Sequence, residues 1–399
     1  MNDAARYRRA PSPFVDRIAG RGAAAWALHV EAMAAKRRGE DVIVMSVGDP
    51  DFATPPAIVE AAVSALRAGD THYTPVVGRP SLRAAVAQRH AARTGIEVDP
   101  DQVVIVAGAQ NGLFASALCL TAPGDEVIVP VPMYVTYEAT IGAAGARMVT
   151  VACDPSTGFR PDPDRMEAAV TPRTRALFFA NPNNPTGVTM SLGELEAIAE
   201  LARRHDLWVV SDEVYADLVF DGQHLSIAAL PGMAERTITV SSLSKSHAMP
   251  GWRTGWVIAP AGLIPHFSNL ALCMLYGLPG FAQAAAEEAL TGSENESLRM
   301  RDHYRHRRDA VLESLARVPG IRCLKPQAGM FLLMDVRGTG LGSAEFAEKV
   351  YRGHGVSLLD AAPFGGADGF VRLSFSSDEA ELIQGCLRIA SFVAGLGLE

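Results

Sequence analysis

One lysine has an unusual sequence context. Lys245 follows the apolar run "TITV" and lies among four serines in the stretch "SSLSKSHAMPGWRTGW", residues 241–256. A lysine buried at the end of a strand has a lowered pKa, so its neutral amine can attack an aldehyde and form an imine. The chain has three other lysines, all in segments typical of an exposed surface: Lys36, Lys325 and Lys349. Lys245 is therefore the candidate nucleophile.

The bulk composition argues against several classes of function. The chain has 399 residues, 48% of them hydrophobic, and a net charge of -8. That length favours two or three domain-sized units. An acidic balance argues against nucleic acid or an anionic membrane as the main partner, because both are bound through clustered Lys and Arg. No apolar run approaches the roughly 18 residues needed to span a bilayer, and no secretory signal begins the chain.

The cysteines and histidines give no sign of a metal site or of disulfides. Five cysteines are scattered along the chain without a C-x-x-C pair, and the ten histidines show no ligand-like spacing. An odd number of scattered cysteines is typical of reduced thiols. We therefore expect a cytoplasmic protein with no bound metal.

Apolar runs of strand length alternate with helical stretches over most of the chain. Such uninterrupted runs are typical of strands covered on both faces, and the alternation predicts a doubly wound, mostly parallel sheet in an α/β domain. The runs are "QVVIVAG", "DEVIVP", "ARMVTVA", "RALFFAN", "LWVVSDE" and "TITVSSLSK". The last hundred residues instead show a long charged helix and the short strands "MFLLMDV" and "FVRLSFS". We expect a large domain over 53–289 and a smaller α+β domain formed by 1–52 with 290–399.

Polar side chains follow four of the predicted strands at the point where each strand ends. Ligands of open α/β sheets bind at that edge, so these groups are expected to share one site. They are the Gly108-Ala109-Gln110 turn, Asn184 in "NPNNPTG", Asp212 with Tyr215 in "SDEVY", and Lys245.

Pyridoxal phosphate is the aldehyde cofactor whose needs these residues meet. Asp212 is expected to pair with its ring nitrogen, and Asn184 and Tyr215 to donate to its phenolic oxygen. Tyr134 is expected to stack on the ring. The remaining groups supply anion sites. For the phosphate these are the amides of Gly108, Ala109 and Gln110 with Ser242 and Arg253; for a substrate carboxylate it is Arg372.

Each of these residues also has an ordinary structural explanation. Asn184 lies between prolines and a glycine, where Asn commonly forms turns. Tyr215 and Tyr134 are equally compatible with plain core packing, and glycine is common where a strand meets a helix. Arg372 is a lone arginine in an apolar strand, which a structural salt bridge would satisfy as well as a substrate would.

Taken together, the motifs resemble one enzyme family. The chain is similar to fold-type I pyridoxal-phosphate enzymes of the class I aminotransferase family, related to aspartate aminotransferase. The resemblance runs from about residue 14 to about residue 395 and rests on motifs that stand in the family's order: "SVGDPDFATP", "HYTPVVGRPSLR", "NPNNPTG", "SDEVY", "SLSKSHAMPGWRTGW" and "VRLSFS".

The resemblance implies roles beyond those argued from the residues. Lys245 would carry the cofactor and move the proton at the substrate α-carbon. The backbone of Gly48 would help Asn184 and Arg372 to hold the α-carboxylate. Tyr73 would reach across a dimer interface to the partner subunit's phosphate, which implies a homodimer with shared active sites.

A finer resemblance is to bacterial arginine:pyruvate aminotransferases. It rests on the segments "RIAGRGAAAWALHVEAMA", "SLSKSHAMPGWR" and "LALCMLYGLPGF". It implies an L-amino acid donor such as arginine and a 2-oxo acid acceptor such as pyruvate. An arginine side chain would need a carboxylate partner, and Asp16, Glu31 and Asp49 lie in segments near the expected pocket.

Two other functions use the same residues. A β-lyase or eliminase needs the same lysine, aspartate and phosphate site, so the motifs do not separate elimination from transfer. Some transcription regulators carry this domain as a ligand sensor behind a DNA-binding domain. Because the resemblance begins near residue 14, we expect an enzyme and not a sensor.

Overall fold

The computed structural model describes residues 11–12, 15–18, 26–292 and 295–397. Within these residues the chain forms twelve α-helices and thirteen β-strands. The helices are α1 (Ala27–Arg37), α2 (Pro56–Arg67), α3 (Pro80–Thr94), α4 (Ala109–Leu120), α5 (Thr136–Ala143), α6 (Pro163–Ala168), α7 (Leu192–Arg204), α8 (Ile264–Met274), α9 (Gly280–Thr291), α10 (Asn295–Leu315), α11 (Ser343–His354) and α12 (Glu379–Ala394).

The strands form a large sheet and two smaller ones. They are β1 (Ile43–Val44), β2 (Val103–Val106), β3 (Glu126–Val131), β4 (Arg147–Ala152), β5 (Thr174–Ala180), β6 (Trp208–Asp212), β7 (Thr237–Ser242), β8 (Gly255–Ile258), β9 (Arg322–Cys323), β10 (Phe331–Asp335), β11 (Val356–Ser357), β12 (Leu359–Asp360) and β13 (Phe370–Ser374).

The large sheet has the strand order β2-β8-β7-β6-β5-β3-β4. Six of its strands run in the same direction, while β8 runs antiparallel to its neighbours β2 and β7. The residues of β2, β3, β6 and β7 are almost all buried, as expected for strands covered by helices on both faces. The predicted α/β class with a mostly parallel sheet is confirmed, although the short antiparallel strand β8 was not foreseen.

The smaller sheets lie in the last part of the chain and include one strand from the first part. Strands β12, β13, β10 and β9 form a four-stranded antiparallel sheet, and β1 pairs in parallel with β11. Ile43 and Met45 share a hydrophobic core with Met300 and Phe346, which places the segment around β1 against the C-terminal region. The boundaries at residues 53 and 289 stay a prediction.

The long charged segment after residue 295 is helical, as predicted. Helix α10 packs against α12, and its buried Tyr304 and Val311 face the core that β10 and β13 also line. Among the described residues no helix is long and apolar enough to cross a membrane.

Candidate active site

A cavity of about 230 Å³ opens where the strands of the large sheet end. Strands β2, β5, β6 and β7 point their carboxyl ends at it, and β13 of the four-stranded sheet closes the other side. Its walls contain eleven of the residues singled out in the sequence: Gly48, Ala109, Gln110, Tyr134, Asn184, Asp212, Tyr215, Ser242, Lys245, Arg253 and Arg372. The structure therefore brings together groups that are up to 324 positions apart, from Gly48 to Arg372.

The amine of Lys245 lies in the cavity and donates a hydrogen bond of 2.7 Å to the carbonyl oxygen of Gly48. Burial lowers the pKa of Lys245 to about 8, and the positive charges of Arg372 and Arg253 act in the same direction, opposed by Asp49. A lysine with this pKa has a substantial neutral fraction near pH 7, which is the form that attacks an aldehyde.

Asp212 ends strand β6 with its carboxylate in the cavity wall. Tyr137 donates a 2.9 Å hydrogen bond to one carboxylate oxygen, and the amide of Val214 donates a 3.2 Å bond to the other. Burial nevertheless raises the pKa of Asp212 to about 6. Among the described residues no Lys, Arg or His forms an ion pair with it, so this buried carboxylate lacks a cation.

Three side chains surround the middle of the cavity. Asn184, in the loop after β5, accepts a 3.1 Å bond from Arg372, which leaves its amide hydrogens to donate elsewhere. Tyr215 is buried and packs edge-on against Phe331, with ring centroids 6.1 Å apart. Tyr134 packs edge-on against Tyr137 at 6.0 Å, and burial raises the pKa of Tyr134. Tyr134 and Tyr215 thus pack against other rings while their side chains also line the cavity.

The first turn of helix α4 forms a cradle at one end of the cavity. Gly108 caps this helix with φ 78°, and a Cβ at this position would lie 2.6 Å from Arg253 Nη2. The first amides of a helix have no intrahelical acceptor, so those of Ala109 and Gln110 are suited to an anion. Gln110 uses its side chain otherwise, bonding Thr136 and Thr140.

Arg253 and Ser242 complete this cradle. Arg253 has φ 53° and directs its guanidinium to the backbone oxygens of Pro250 and Ala107, at 2.8 and 3.2 Å. Among the described residues it forms no ion pair. Ser242 ends strand β7, next to the β8 strand that leads back from Arg253. A cation, a hydroxyl and the start of a helix thus meet at one point, as an anion site requires.

Arg372 lies on the opposite wall and is only 1% exposed. Its two terminal nitrogens donate to Asn184 Oδ1 at 3.1 Å and to the carbonyl of Ser46 at 2.8 Å, and its Nε has no partner. The guanidinium stacks on Phe331 at 4.1 Å. Burial lowers the pKa of Arg372 to about 10. No carboxylate of the described chain pairs with it. Arg372 therefore forms no structural salt bridge with the described residues.

Several cavity residues were missed by the sequence reasoning. Tyr137 contacts Asp212 directly, and its position three residues after Tyr134 was the only available signal. Trp26 and Phe331 line the wall around Arg372. Both come from segments far from the sheet edge, and nothing in their local sequence indicates where they lie.

Two of the predicted cofactor residues do not line the cavity. Gly108 lies behind the cradle, where its lack of a side chain makes room for Arg253. Tyr73 is 86% exposed, and its ring packs at a tilt against Tyr276 outside the cavity, with ring centroids 4.9 Å apart. The sequence also has glycines at 20 and 22, which would permit movement of the N-terminal segment, and both lie outside the described residues.

The family assignment follows from sequence comparison. The family described as "Aminotransferase class I and II" matches residues 40–389, which is most of the chain. The chain belongs to this family. The matched range includes every residue assigned to the cofactor or to the α-carboxylate, from Gly48 to Arg372.

Individual relatives agree with the family assignment. This aminotransferase is 52% identical to an arginine–pyruvate transaminase, AruH, of Pseudomonas aeruginosa, over 96% of this chain and 98% of the relative. It is 37% identical to an aspartate/prephenate aminotransferase of Thermus thermophilus, over 91% and 94% of the two chains. An aspartate aminotransferase from Thermus thermophilus with maleate superposes with a TM-score of 0.92 at 35% identity, covering 96% and 100%. The expected fold type I is therefore confirmed.

Members of this family use pyridoxal phosphate, and the residues of this aminotransferase fit that cofactor. Asp212 is a buried carboxylate without a cation, as a protonated pyridine nitrogen requires. The Gly108 cradle, with the unpaired Arg253, suits the phosphate. Lys245 lines the same cavity and has a lowered pKa. Among the described residues no cluster of side chains is arranged to hold a metal ion.

Proposed function

We propose that this aminotransferase moves the α-amino group of L-arginine, or of a similar L-amino acid, to a 2-oxo acid such as pyruvate. The observation that carries the proposal is the buried guanidinium of Arg372, which faces the cavity and, among the described residues, has no partner for its Nε and no carboxylate beside it. A buried cation in this state needs an anionic ligand. The choice of arginine and pyruvate rests on the 52% identity to the arginine–pyruvate transaminase.

Lys245 is the residue that moves the proton. Pyridoxal phosphate supplies an aldehyde carbon for amino groups and a ring that takes up electrons from the substrate α-carbon. Where its amine is free, Lys245 would remove the proton at the substrate α-carbon and later return one as a general acid. The lowered pKa of Lys245 keeps the amine competent for both steps near neutral pH.

The other cavity residues hold and orient the reacting groups. Asp212 keeps the ring nitrogen protonated, and Tyr215 and Asn184 donate to the phenolic oxygen. Tyr134 covers the ring face. The phosphate would be held at the start of helix α4 by Ala109, Gln110, Ser242 and Arg253, while Gly108 leaves room for the Arg253 guanidinium.

The α-carboxylate of the substrate binds Arg372 as a planar fork. Asn184 and the backbone of Gly48 complete this subsite. The amine of Lys245 donates to the Gly48 carbonyl, so it lies beside the backbone that would help to hold the carboxylate.

None of the three acids considered for a cationic side chain is among the described lining residues of the cavity. Glu31 pairs with Arg352 on the surface, and Asp16 is exposed in a short helix at 15–18. Asp49 follows Gly48, and its charge acts on Lys245 from outside that lining. Asp212 is the sole carboxylate among the described lining residues, and it serves the cofactor.

A homodimer with shared sites accounts for Tyr73. Its ring is almost fully exposed in one chain, which suits a residue that enters the partner's site. Co-expressed Lys245→Ala and Tyr73→Ala chains test this. A mixed dimer would have one site with both defects and one with neither, so activity should return to about half per dimer. If the two inactive chains stay inactive together, the active sites are not shared.

A cytoplasmic location stays a prediction, supported by five free cysteines.

The substrate is tested with the cofactor-loaded protein and single L-amino acids, without any oxo acid. Arginine should bleach the visible absorbance of the bound cofactor by converting it to its amine form, and pyruvate should restore it. If another amino acid acts and arginine does not, the mechanism stands and the donor is wrong. Release of ammonia with pyruvate from a donor would instead indicate elimination.

A further inference from the structure

A chain of hydrogen bonds supports Arg372 from the side away from the cavity. Arg372 donates to the carbonyl of Ser46, a residue that is fully buried. The hydroxyl of Ser46 contacts Nδ1 of His29 at 2.9 Å and accepts a 2.8 Å bond from the hydroxyl of Ser357. His29 is thus one residue removed from the arginine that we assign to the substrate carboxylate.

Hydrogen bonds to neighbouring strands hold the backbone around Ser46. Met45, the preceding residue, accepts from Ser374 at 2.8 Å and donates to Ser357 at 2.9 Å. These bonds fix the course of the chain between β11 and β13. His29 adds a side-chain contact between Ser46 and helix α1, an element separate from both strands.

Helix α1 also reaches the cavity directly. Trp26, at the start of the helix, lines the cavity wall and lies 5.7 Å from the guanidinium carbon of Arg372. The rings of Trp26 and His29 meet edge-on, with centroids 5.5 Å apart. His29 therefore contacts two residues that touch Arg372: Trp26, through its ring, and Ser46, whose hydroxyl meets His29 while its carbonyl meets Arg372.

The surroundings of His29 favour its neutral form. Burial and then the charge of Arg372 lower the pKa of His29. Because Ser357 donates to Ser46, the Ser46 proton is available to Nδ1 of a neutral imidazole. Glu31, on the same helix, does not offset this charge, since it pairs with Arg352 at the surface.

We propose that His29 is a positioning residue for substrate binding. It holds Ser46 and Trp26 around Arg372 and thereby sets the affinity for the carboxylate that the amino donor and the oxo acid share. The inference rests on the proposed role of Arg372. It predicts a defect common to both substrates, because both present a carboxylate to the same guanidinium.

The kinetic test compares variants of the cofactor-loaded enzyme. His29→Ala should raise KM for the donor and for the oxo acid by the same factor, about two- to tenfold as for one lost hydrogen bond, while kcat stays within about twofold. His29→Asn keeps a polar atom near the position of Nδ1 and should restore most of the affinity. Val30→Ala, on the exposed side of the same helix, is the matched control and should change neither constant.

The second test needs no variant at His29. A carboxylate bound at Arg372 neutralises the charge that lowers the pKa of His29, so the NMR titration midpoint of His29 should rise when pyruvate is added to the enzyme. In an Arg372→Lys enzyme, which lacks the fork, that rise should shrink. An unchanged midpoint in the wild-type enzyme would overturn the proposal.

The outcomes separate this inference from the proposed function. If Arg372→Lys raises KM strongly but His29→Ala does not, Arg372 binds the carboxylate and the proposal for His29 is wrong. If Arg372→Lys leaves KM unchanged, the carboxylate site itself is misassigned and both fail. A fall in kcat alone in His29→Ala would show a general structural role and would also overturn the inference.

Discussion

The phenol of Tyr137 donates a 2.9 Å hydrogen bond to the carboxylate of Asp212, and both groups are buried. A hydrogen bond to the charged form of an acid lowers its pKa and so favours ionisation. Burial acts the other way and prevails, leaving the pKa of Asp212 raised to about 6. Tyr137 therefore limits how far burial suppresses the charge that the cofactor ring needs.

Tyr137→Phe should raise the pKa of Asp212 further. Cofactor binding requires the ionised carboxylate, so affinity should fall as pH drops through this pKa. In the variant that fall should begin about one pH unit higher, as expected for one lost bond to a charged group. Fluorescence titration of cofactor into the cofactor-free protein between pH 5 and 8 measures it.

Tyr304→Phe is the matched control for that experiment. Tyr304 is also a fully buried tyrosine, but its hydroxyl has no partner among the described residues and it lies in the C-terminal core. In this control, cofactor affinity should fall at the same pH as in the wild-type protein. If cofactor affinity falls at the same pH in all three proteins, Tyr137 does not affect the pKa of Asp212.

Reaction of the cofactor-free protein with the cofactor should follow the titration of Lys245. Only the neutral amine attacks the aldehyde, and burial lowers the pKa of Lys245 to about 8. The rate of incorporation should therefore rise with pH and reach half its maximum near pH 8, more than two pH units below an ordinary lysine. Stopped-flow absorbance gives this profile, and a half-maximum near pH 10 would contradict it.

Lys245→Ala removes the proton carrier. The cofactor should still bind through Arg253 and Asp212, but turnover should fall by at least about 10²- to 10⁴-fold. Steady-state assay with an added small primary amine provides the control, since an external base should recover part of the rate. A variant that turns over at the wild-type rate would refute the assignment of Lys245.

Gly108→Ala should weaken cofactor binding. The new Cβ would lie 2.6 Å from Arg253 Nη2 and would displace the guanidinium from the phosphate site. Loss of one charge-assisted hydrogen bond corresponds to about a tenfold to hundredfold weaker affinity. Equilibrium dialysis of the cofactor measures the change.

Gly95→Ala is the control that separates displacement of the Arg253 guanidinium from strain in the backbone. Gly95 also has a positive φ, 73°, but a Cβ there meets no atom within 4 Å. This control should lose about 1 kcal/mol of stability through the left-handed backbone and keep its cofactor affinity. If both variants lose cofactor equally, strain and not Arg253 is the cause.

Asp217→Asn should destabilise the fold near the site. Asp217 is bound by Arg93 at 2.5 Å and by Arg89 at 2.9 Å, linking the loop after β6 to helix α3. Burial raises the pKa of Asp217, but the two arginines outweigh it and lower the value to about 2. Breaking such a buried pair costs about 3 kcal/mol, measurable by urea unfolding at pH 7.

The pH dependence of stability checks the same pair. The folded pKa of Asp217 is depressed, so its contribution is present above the ordinary value of 3.8 and is lost as pH falls through about 2. The difference in the free energy of unfolding between the wild-type protein and Asp217→Asn should therefore become smaller below pH 4. Asp206→Asn, an exposed partner of Arg236, should change stability little.

Much of the large sheet and of the cofactor site could be predicted from the sequence. Lys245, Asp212, Asn184 and the Gly108 turn each follow an apolar run, and the carboxyl ends of parallel strands meet at one edge. Uninterrupted apolar runs that alternate with helices indicate parallel strands, so these residues were assigned to one sheet edge without any coordinates. Strand β8 was not predicted, because its four residues follow a turn and are too few to show a periodic apolar pattern.

The tertiary structure alone decided which contacts surround these groups. Tyr137, Trp26, Phe331 and His29 are placed by packing between elements distant in sequence, and no local pattern encodes such packing. The same holds for the absence of a carboxylate beside Arg372 within the described chain, because a partner could have come from any segment. The sequence by itself determined the chemistry available to this aminotransferase, since the side-chain types and their positions after apolar runs are read directly from it. The folded chain decided the pKa of Lys245 and Asp212 and the unsatisfied charge of Arg372, because burial and charge proximity exist only in three dimensions.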